Sequence, residues 1–151
     1  MIFAADRMLG KLAKWLRMLG YDTVYSNSLC DEKFLALADE GRVLLTRNTK
    51  LVGKVGEDRL VFVQANDPMA QLKEIIERLG LKPDPRRLFC RCTLCNCLLE
   101  AVDATKVLAT VPEYVWTAHD RFSQCPCCGR VYWPGSHWER SRAKIASLLG
   151  C

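Results

Sequence analysis

Ile2-Phe3-Ala4-Ala5-Asp6-Arg7-Met8-Leu9-Gly10-Lys11-Leu12-Ala13-Lys14-Trp15-Leu16-Arg17-Met18-Leu19-Gly20 changes its period at Asp6. Before Asp6 lies a short continuous apolar run, the pattern of a strand buried on both faces. After it, Met8, Leu9, Leu12, Ala13, Trp15, Leu16 and Leu19 recur at helical spacing, and Gly20 supplies the stop. Thr23-Val24-Tyr25 then suits a second strand. A strand, a helix and a strand in so short a span predict a parallel crossover unit.

The same alternation continues outward. Residues 31–40 read as a helix with Phe34, Leu35, Leu37 and Ala38 inward, stopped by Gly41. Val43-Leu44-Leu45-Thr46 is a buried strand followed at once by Arg47-Asn48, and Leu60-Val61-Phe62-Val63 is another. Asp67-Pro68 fits an N-cap with proline at the first helical position, opening a helix to about Leu79. Residues 1–82 are therefore expected to form an α/β domain, a parallel sheet flanked by helices. Pro83 and Pro85 mark a linker, and residues 88–151 form a second domain.

That second domain is marked by two pairs, Cys92-x-x-Cys95 and Cys125-x-x-Cys128. Four thiolates at about 2.3 Å from one ion describe a closed structural zinc site, a zinc ribbon. Such a site has no open position for a substrate, so catalysis must come from elsewhere. Residues 96–124, between the knuckles, are longer than the usual insert of roughly 15–20 and are expected to carry strands and a short helix near Glu113 to Arg121. Cys90, Cys97 and Cys127 compete as ligands, but pairing 90 with 92 or 95 with 97 leaves a single intervening residue, a poor knuckle. Val131-Tyr132-Trp133 reads as a ribbon strand, and Ser136-x-x-Glu139 as a capping box opening a terminal helix through Leu149. Trp133, Trp138 and Tyr132 either pack that helix or stack on bases.

No apolar stretch approaches the roughly 20 residues of a membrane span, and residues 1–7 lack the pattern of a signal peptide. Nine cysteines without such a signal favour a reducing, cytoplasmic setting and metal ligation over disulfides. Residues 1–89 carry 15 basic and 12 acidic side chains, and residues 90–151 carry 7 and 5. Four thiolates around a zinc ion bring the second half close to neutral, so the basic excess that would attract nucleic acid sits in the first half.

In open parallel sheets, ligands collect beyond the carboxyl ends of the strands. Asp6, Asp31-Glu32 and Arg47-Asn48 fall at such ends or in adjoining loops. Clustered carboxylates hold Mg²⁺ or Mn²⁺ through oxygen, and these ions promote attack on phosphodiesters. Asp6 is equally readable as a helix N-cap, and Asp31 and Glu32 as charges favouring a helix N-terminus. Arg7, Lys11, Lys14 and Arg17 are spaced to line one helix face, either a solvated face or a strip that tracks phosphates. Arg47 beside the cluster suits a phosphate grip or a surface ion pair.

The run Asp6 to Asp22, Asp31-Glu32 ahead of a helix, and Leu44-Leu45-Thr46-Arg47 resemble the PIN-like RNase family named after the C-terminal domain of the Mut-seven exonuclease, Mut7-C. So do Cys92/Cys95 and the stretch Cys125-Pro126-x-Cys128-Gly129-x-x-Tyr132-Trp133-x-Gly135-Ser136-His137. The resemblance implies a PIN-like fold with a fused zinc ribbon and a metal-dependent endoribonuclease activity, with Asp6, Asp31, Glu32 and position 48 at the metal. RNA is the expected partner, tRNA or rRNA included; a third reading has the ribbon dock a protein partner, with the PIN-like half as a scaffold. One position departs: the family usually has aspartate after Thr-Arg, where this chain has Asn48. The lost charge weakens a hard-cation site. The alternative is therefore an RNA- or ribosome-binding protein with weak or no catalysis.

Overall fold

The computed structural model describes residues 1–150; Cys151 lies outside them. The described residues fold as two compact units, residues 1–96 and 97–150. No helix among them is long and apolar enough to cross a membrane.

The first unit is α/β, as the alternating pattern predicts. Its strands are β1 (Phe3–Ala5), β2 (Thr23–Tyr25), β3 (Val43–Thr46) and β4 (Leu60–Phe62). They form one parallel sheet in the order β2-β1-β3-β4, with Ala4 registered on both Val24 and Leu44. Phe3, Ala4, Ala5, Leu44 and Leu45 are wholly buried, which is why these central strands read as unbroken apolar runs. From β1 the chain first pairs on one side with β2 and then returns to the other side with β3. The switch point therefore lies between the carboxyl ends of β1 and β3, where open α/β sheets bind ligands.

The helices are α1 (Gly10–Met18), α2 (Asp31–Ala36) and α3 (Pro68–Leu79). A 3₁₀ turn over Arg7–Leu9 precedes α1, and another over Leu37–Glu40 completes the stretch predicted as one helix from residue 31 to 40. Helices α1 and α3 pack together, whereas Phe34 and Ala38 join Ala4, Leu44 and Leu51 in a separate cluster. Asp67 caps α3 as expected, accepting from the backbone amides of Met69 and Ala70.

Arg17 overturns its expected place on a basic surface strip. It is 3% exposed. Its guanidinium donates to the carbonyl oxygens of Thr23, Thr93 and Leu94, tying α1 to β2 and to the first cysteine knuckle. Asn96 adds to that tie: its Oδ1 accepts from the Thr23 amide and its Nδ2 donates to Asp22. Burial works to raise the Asp22 pKa. Hydrogen bonds from Arg42 and Asn96, with the charges of Arg42 and Arg91, outweigh it and hold the carboxyl below its ordinary value. The stretch with Pro83 and Pro85 is likewise tied to the sheet unit at its end, where the Arg87 guanidinium donates to Gly20 O at 3.4 Å.

The two knuckles fold alike. Asn96 has φ +70° and its amide donates to Cys92 O; Gly129 has φ +74° and its amide donates to Cys125 O. Each knuckle closes with a residue in the left-handed region, which asparagine and glycine reach at least cost.

The second unit holds an antiparallel sheet, β5 (Glu100–Val102), β6 (Phe122–Gln124) and β7 (Val131–Tyr132), in that order. Between β5 and β6 run α4 (Ala104–Val107) and α5 (Glu113–Ala118). Val107, Val111, Val115, Phe122 and Val131 form its core, with Trp116 and Trp133 packed against them. Trp133 is thus a packing residue, and Trp138 lies under the Arg142 guanidinium at 5.4 Å. The terminal helix α6 (Ser136–Leu149) opens without the predicted capping box. Gly135 is its N-cap and no side chain caps it, because Ser136 already stands in the first turn.

Arg17→Met should destabilise the protein by about 3 kcal/mol, because buried carbonyls lose a charged donor. Lys14→Met, exposed on the same helix, should stay within about 0.5 kcal/mol. Urea unfolding midpoints of the two variants check the contrast.

Candidate active site and cysteine cluster

At the switch point the chain leaves β1 through Asp6, and the Asp6 carboxylate crosses to β3. Its Oδ1 accepts from the Met8 amide at 2.8 Å, which makes it the N-cap of the Arg7–Leu9 turn. Its Oδ2 accepts from the Thr46 hydroxyl and from the Arg47 amide, the latter at 2.9 Å. The N-cap reading of Asp6 is thus seen directly, and the same group sits at the mouth of the sheet. A carboxylate offers about four lone-pair positions, and three donors occupy it here.

Asp6 lines a cavity of about 260 Å³ together with Asp31, Asn48, Lys50, Arg7, Met8 and Leu51. Three of the four residues predicted to carry chemistry, Asp6, Asp31 and Asn48, are thus brought to one recess. Glu32 is exposed but does not line it. Asp31 is exposed in the first turn of α2 and makes no side-chain hydrogen bond to any described residue. Asn48 is held more firmly: its Oδ1 accepts from the Lys50 amide at 3.1 Å, and its own amide donates to Thr46 Oγ1. Among the described residues, no three Asp, Glu or His side chains place ligand atoms within 4.8 Å of one another. The site has two carboxylates facing a shared space, not a tight acidic cluster.

The predicted cations divide. Arg7, Lys11 and Lys14 are exposed and line a second cavity, of about 540 Å³, which shares Arg7 and Met8 with the first. Arg17 is buried, as described. Arg47 is committed to its own fold. Its guanidinium donates to the carbonyl oxygens of Val63, Gln64 and Ala65 and to Asn66 Oδ1, fastening the loop after β4. On the far side of that loop the Glu74 carboxylate accepts from the amides of Gln64 and Ala65. Burial opposes its charge, but these amides and Arg78 hold its pKa below the ordinary value. Lys50 was not among the sequence candidates although it lines the smaller cavity. Its only signal was its place two residues after Asn48.

Cys92, Cys95, Cys125 and Cys128 place their sulfurs within 4.8 Å of one another, an arrangement able to hold a metal ion. One pair departs from the expectation of metal ligation over disulfides: Cys97 and Cys127 are joined by a disulfide. The set Cys95, Cys97, Cys125 and Cys127 is as close together, but with 97 bonded to 127 it cannot offer four thiolates. Cys30 is exposed and outside either set.

A human protein described as "Exonuclease mut-7 homolog" is 27% identical over 144 residues, covering 91% of this chain and 14% of that protein, so the chain corresponds to a small part of its relative. No solved structure matches. The family described as the Mut7-C RNAse domain matches residues 1–145, and the chain belongs to that family.

Proposed function

We propose that this protein is an endoribonuclease that hydrolyses RNA phosphodiesters at the switch point of its parallel sheet, using Mg²⁺ or Mn²⁺. The observation that carries the reading is the joint presence of Asp6, Asp31 and Asn48 in one cavity at the ends of the central strands. Membership of an RNase domain family supports it. The donor set fits the ion. Magnesium keeps several waters and takes one or two carboxylates plus substrate phosphate, without needing an all-protein cage. Asp6, Asp31 and the Asn48 carbonyl would hold it, and it would supply an activated water and neutralise developing phosphate charge.

The chain's own groups do the rest. Three donors fix the Asp6 carboxylate, so it reaches the reaction already oriented. Lys50 and Arg7 line the same recess and would draw the phosphate in and fix its position. Arg47 holds the loop beside the site rather than the substrate. In wild type, RNA cleavage should require Mn²⁺ or Mg²⁺. Asp31→Asn is the clean variant, because Asp31 has no structural bond to lose. It should lower cleavage by more than the roughly 10–100-fold usual for removing even an outer partner of a metal. Asn48→Asp should raise cleavage severalfold. Gel assays on labelled RNA read both; full activity in Asp31→Asn would overturn the assignment.

A second reading, RNA binding without turnover, is favoured by Asn48, whose carbonyl oxygen already accepts from the Lys50 amide. It predicts salt-sensitive binding that persists without magnesium.

For the cysteine tetrad we propose structural zinc. Four sulfurs about 2.3 Å from a zinc ion stand about 3.8 Å apart, inside the observed spacing limit. Metal analysis of purified protein should give about one zinc per chain. Cys125→Ser should lose it and melt at lower temperature, whereas the Cys97→Ser, Cys127→Ser double variant should keep it. Zinc lost from the double variant would move the site to the other cysteine set.

A further inference from the structure

The larger cavity has a composition that phosphate attraction alone does not explain. Arg7, Lys11 and Lys14 give it charge, but its lining also includes Tyr25, Asn66 and Gln71. Its volume of about 540 Å³ falls in the range of small-molecule sites, about 300–1,000 Å³.

Both amides are fixed, and each leaves one atom unspent. Gln71 is 5% exposed, and its Nε2 donates to the carbonyl oxygens of Ala65 and Asn66 at 3.0 and 3.3 Å. No described residue donates to its Oε1, and among the described residues no buried side-chain polar atom lacks a partner. Oε1 therefore keeps some exposure and a free acceptor position. Asn66 is held the other way round: its Oδ1 accepts from Arg47 at 2.6 Å, and no described residue accepts from its Nδ2. The lining thus includes one residue with an unspent acceptor and one with an unspent donor, whose roles cannot be exchanged without breaking other bonds. That is the chemistry of a nucleobase edge, which carries donors beside acceptors.

The aromatic wall is also built. The Tyr25 hydroxyl donates to Arg7 O at 3.3 Å. A Cβ at position 10 would stand 2.6 Å from that hydroxyl oxygen and 2.7 Å from Cζ, so glycine at the start of α1 makes room for the ring. An aromatic face beside cations is a platform on which an unpaired base stacks. Met8, 60% exposed, lines this cavity and the candidate active site alike.

We infer that this cavity is a nucleobase subsite. It takes the unpaired base of a nucleotide next to the phosphate at Asp6 and Asp31, stacked on Tyr25 and read by Gln71 Oε1 and Asn66 Nδ2. A paired base offers neither its face nor its edge, so the subsite selects single-stranded RNA. The inference rests on the proposed nuclease reading for its substrate class, but its test reads binding and does not need turnover.

Short single-stranded RNA oligomers, each with one abasic nucleotide at a different position, would be titrated against Asp31→Asn protein by fluorescence anisotropy. One abasic position should weaken binding by about tenfold, the size of one lost base stack. Adding Tyr25→Ala should erase that position dependence, Tyr25→Phe should keep it, and Asn66→Ala, at an exposed loop position, should relax preference among the four bases there. Circular dichroism confirms that the variants fold. A flat abasic scan, or no binding of any oligomer, overturns the subsite. Metal-dependent cleavage by wild type together with a flat scan rejects the subsite alone. A position-dependent scan without any cleavage by wild type keeps the subsite and rejects the nuclease.

Discussion

One carboxylate fixes the geometry on which the first unit's site depends. Asp6 follows the most buried strand, and its two oxygens accept from the Met8 amide on one side and from Thr46 and the Arg47 amide on the other. It holds the entry to the first helix against the exit from β3, and so shapes the recess at the switch point. An N-cap alone contributes about 1 kcal/mol; this group also ties two strand ends. The same position makes it available to a metal ion. The proposed chemical role would coincide there with a structural one, so activity lost at Asp6 would have two causes, while Asp31 carries no such structural bond.

A second constraint is Arg17. A buried guanidinium without acceptors would be strongly destabilising, and here three carbonyls satisfy it. Two of those carbonyls belong to Thr93 and Leu94, inside the first knuckle, so α1 and the knuckle order each other. Asn96 completes the lock by closing the knuckle turn and bonding to Thr23 and Asp22 at once. The compact unit therefore runs through Asn96, past the proline-containing stretch that looks like a linker in the sequence.

Much of this was legible in the chain. Continuous apolar runs at residues 3–5 and 43–46 signalled strands buried on both faces, and Asp67-Pro68 signalled a helix start, because local patterning and tertiary placement agree at those positions. The knuckle cysteines were legible because their spacing is a ligand geometry. What stayed hidden was decided by tertiary contacts. Arg17 shares the spacing of Lys11 and Lys14 yet points inward, since helical period fixes a face but not which part of that face the knuckle covers. Arg47 looked like a phosphate grip because its acceptors, residues 63–66, are remote in sequence. The larger cavity was invisible for the same reason: Tyr25, Asn66 and Gln71 meet Arg7 and Lys11 only through the fold.

Membership of an RNase domain family supplies a class of chemistry, and the switch point supplies a place for it. The proposed link between them is metal binding at Asp6, Asp31 and Asn48. Titrating Mn²⁺ into isotope-labelled protein and following amide resonances by NMR tests that link directly. Paramagnetic broadening should begin at residues 6–8, 31 and 48–50 and should be much weaker in Asp31→Asn. Broadening that starts elsewhere, or that is unchanged in Asp31→Asn, would contradict a metal site at the switch point.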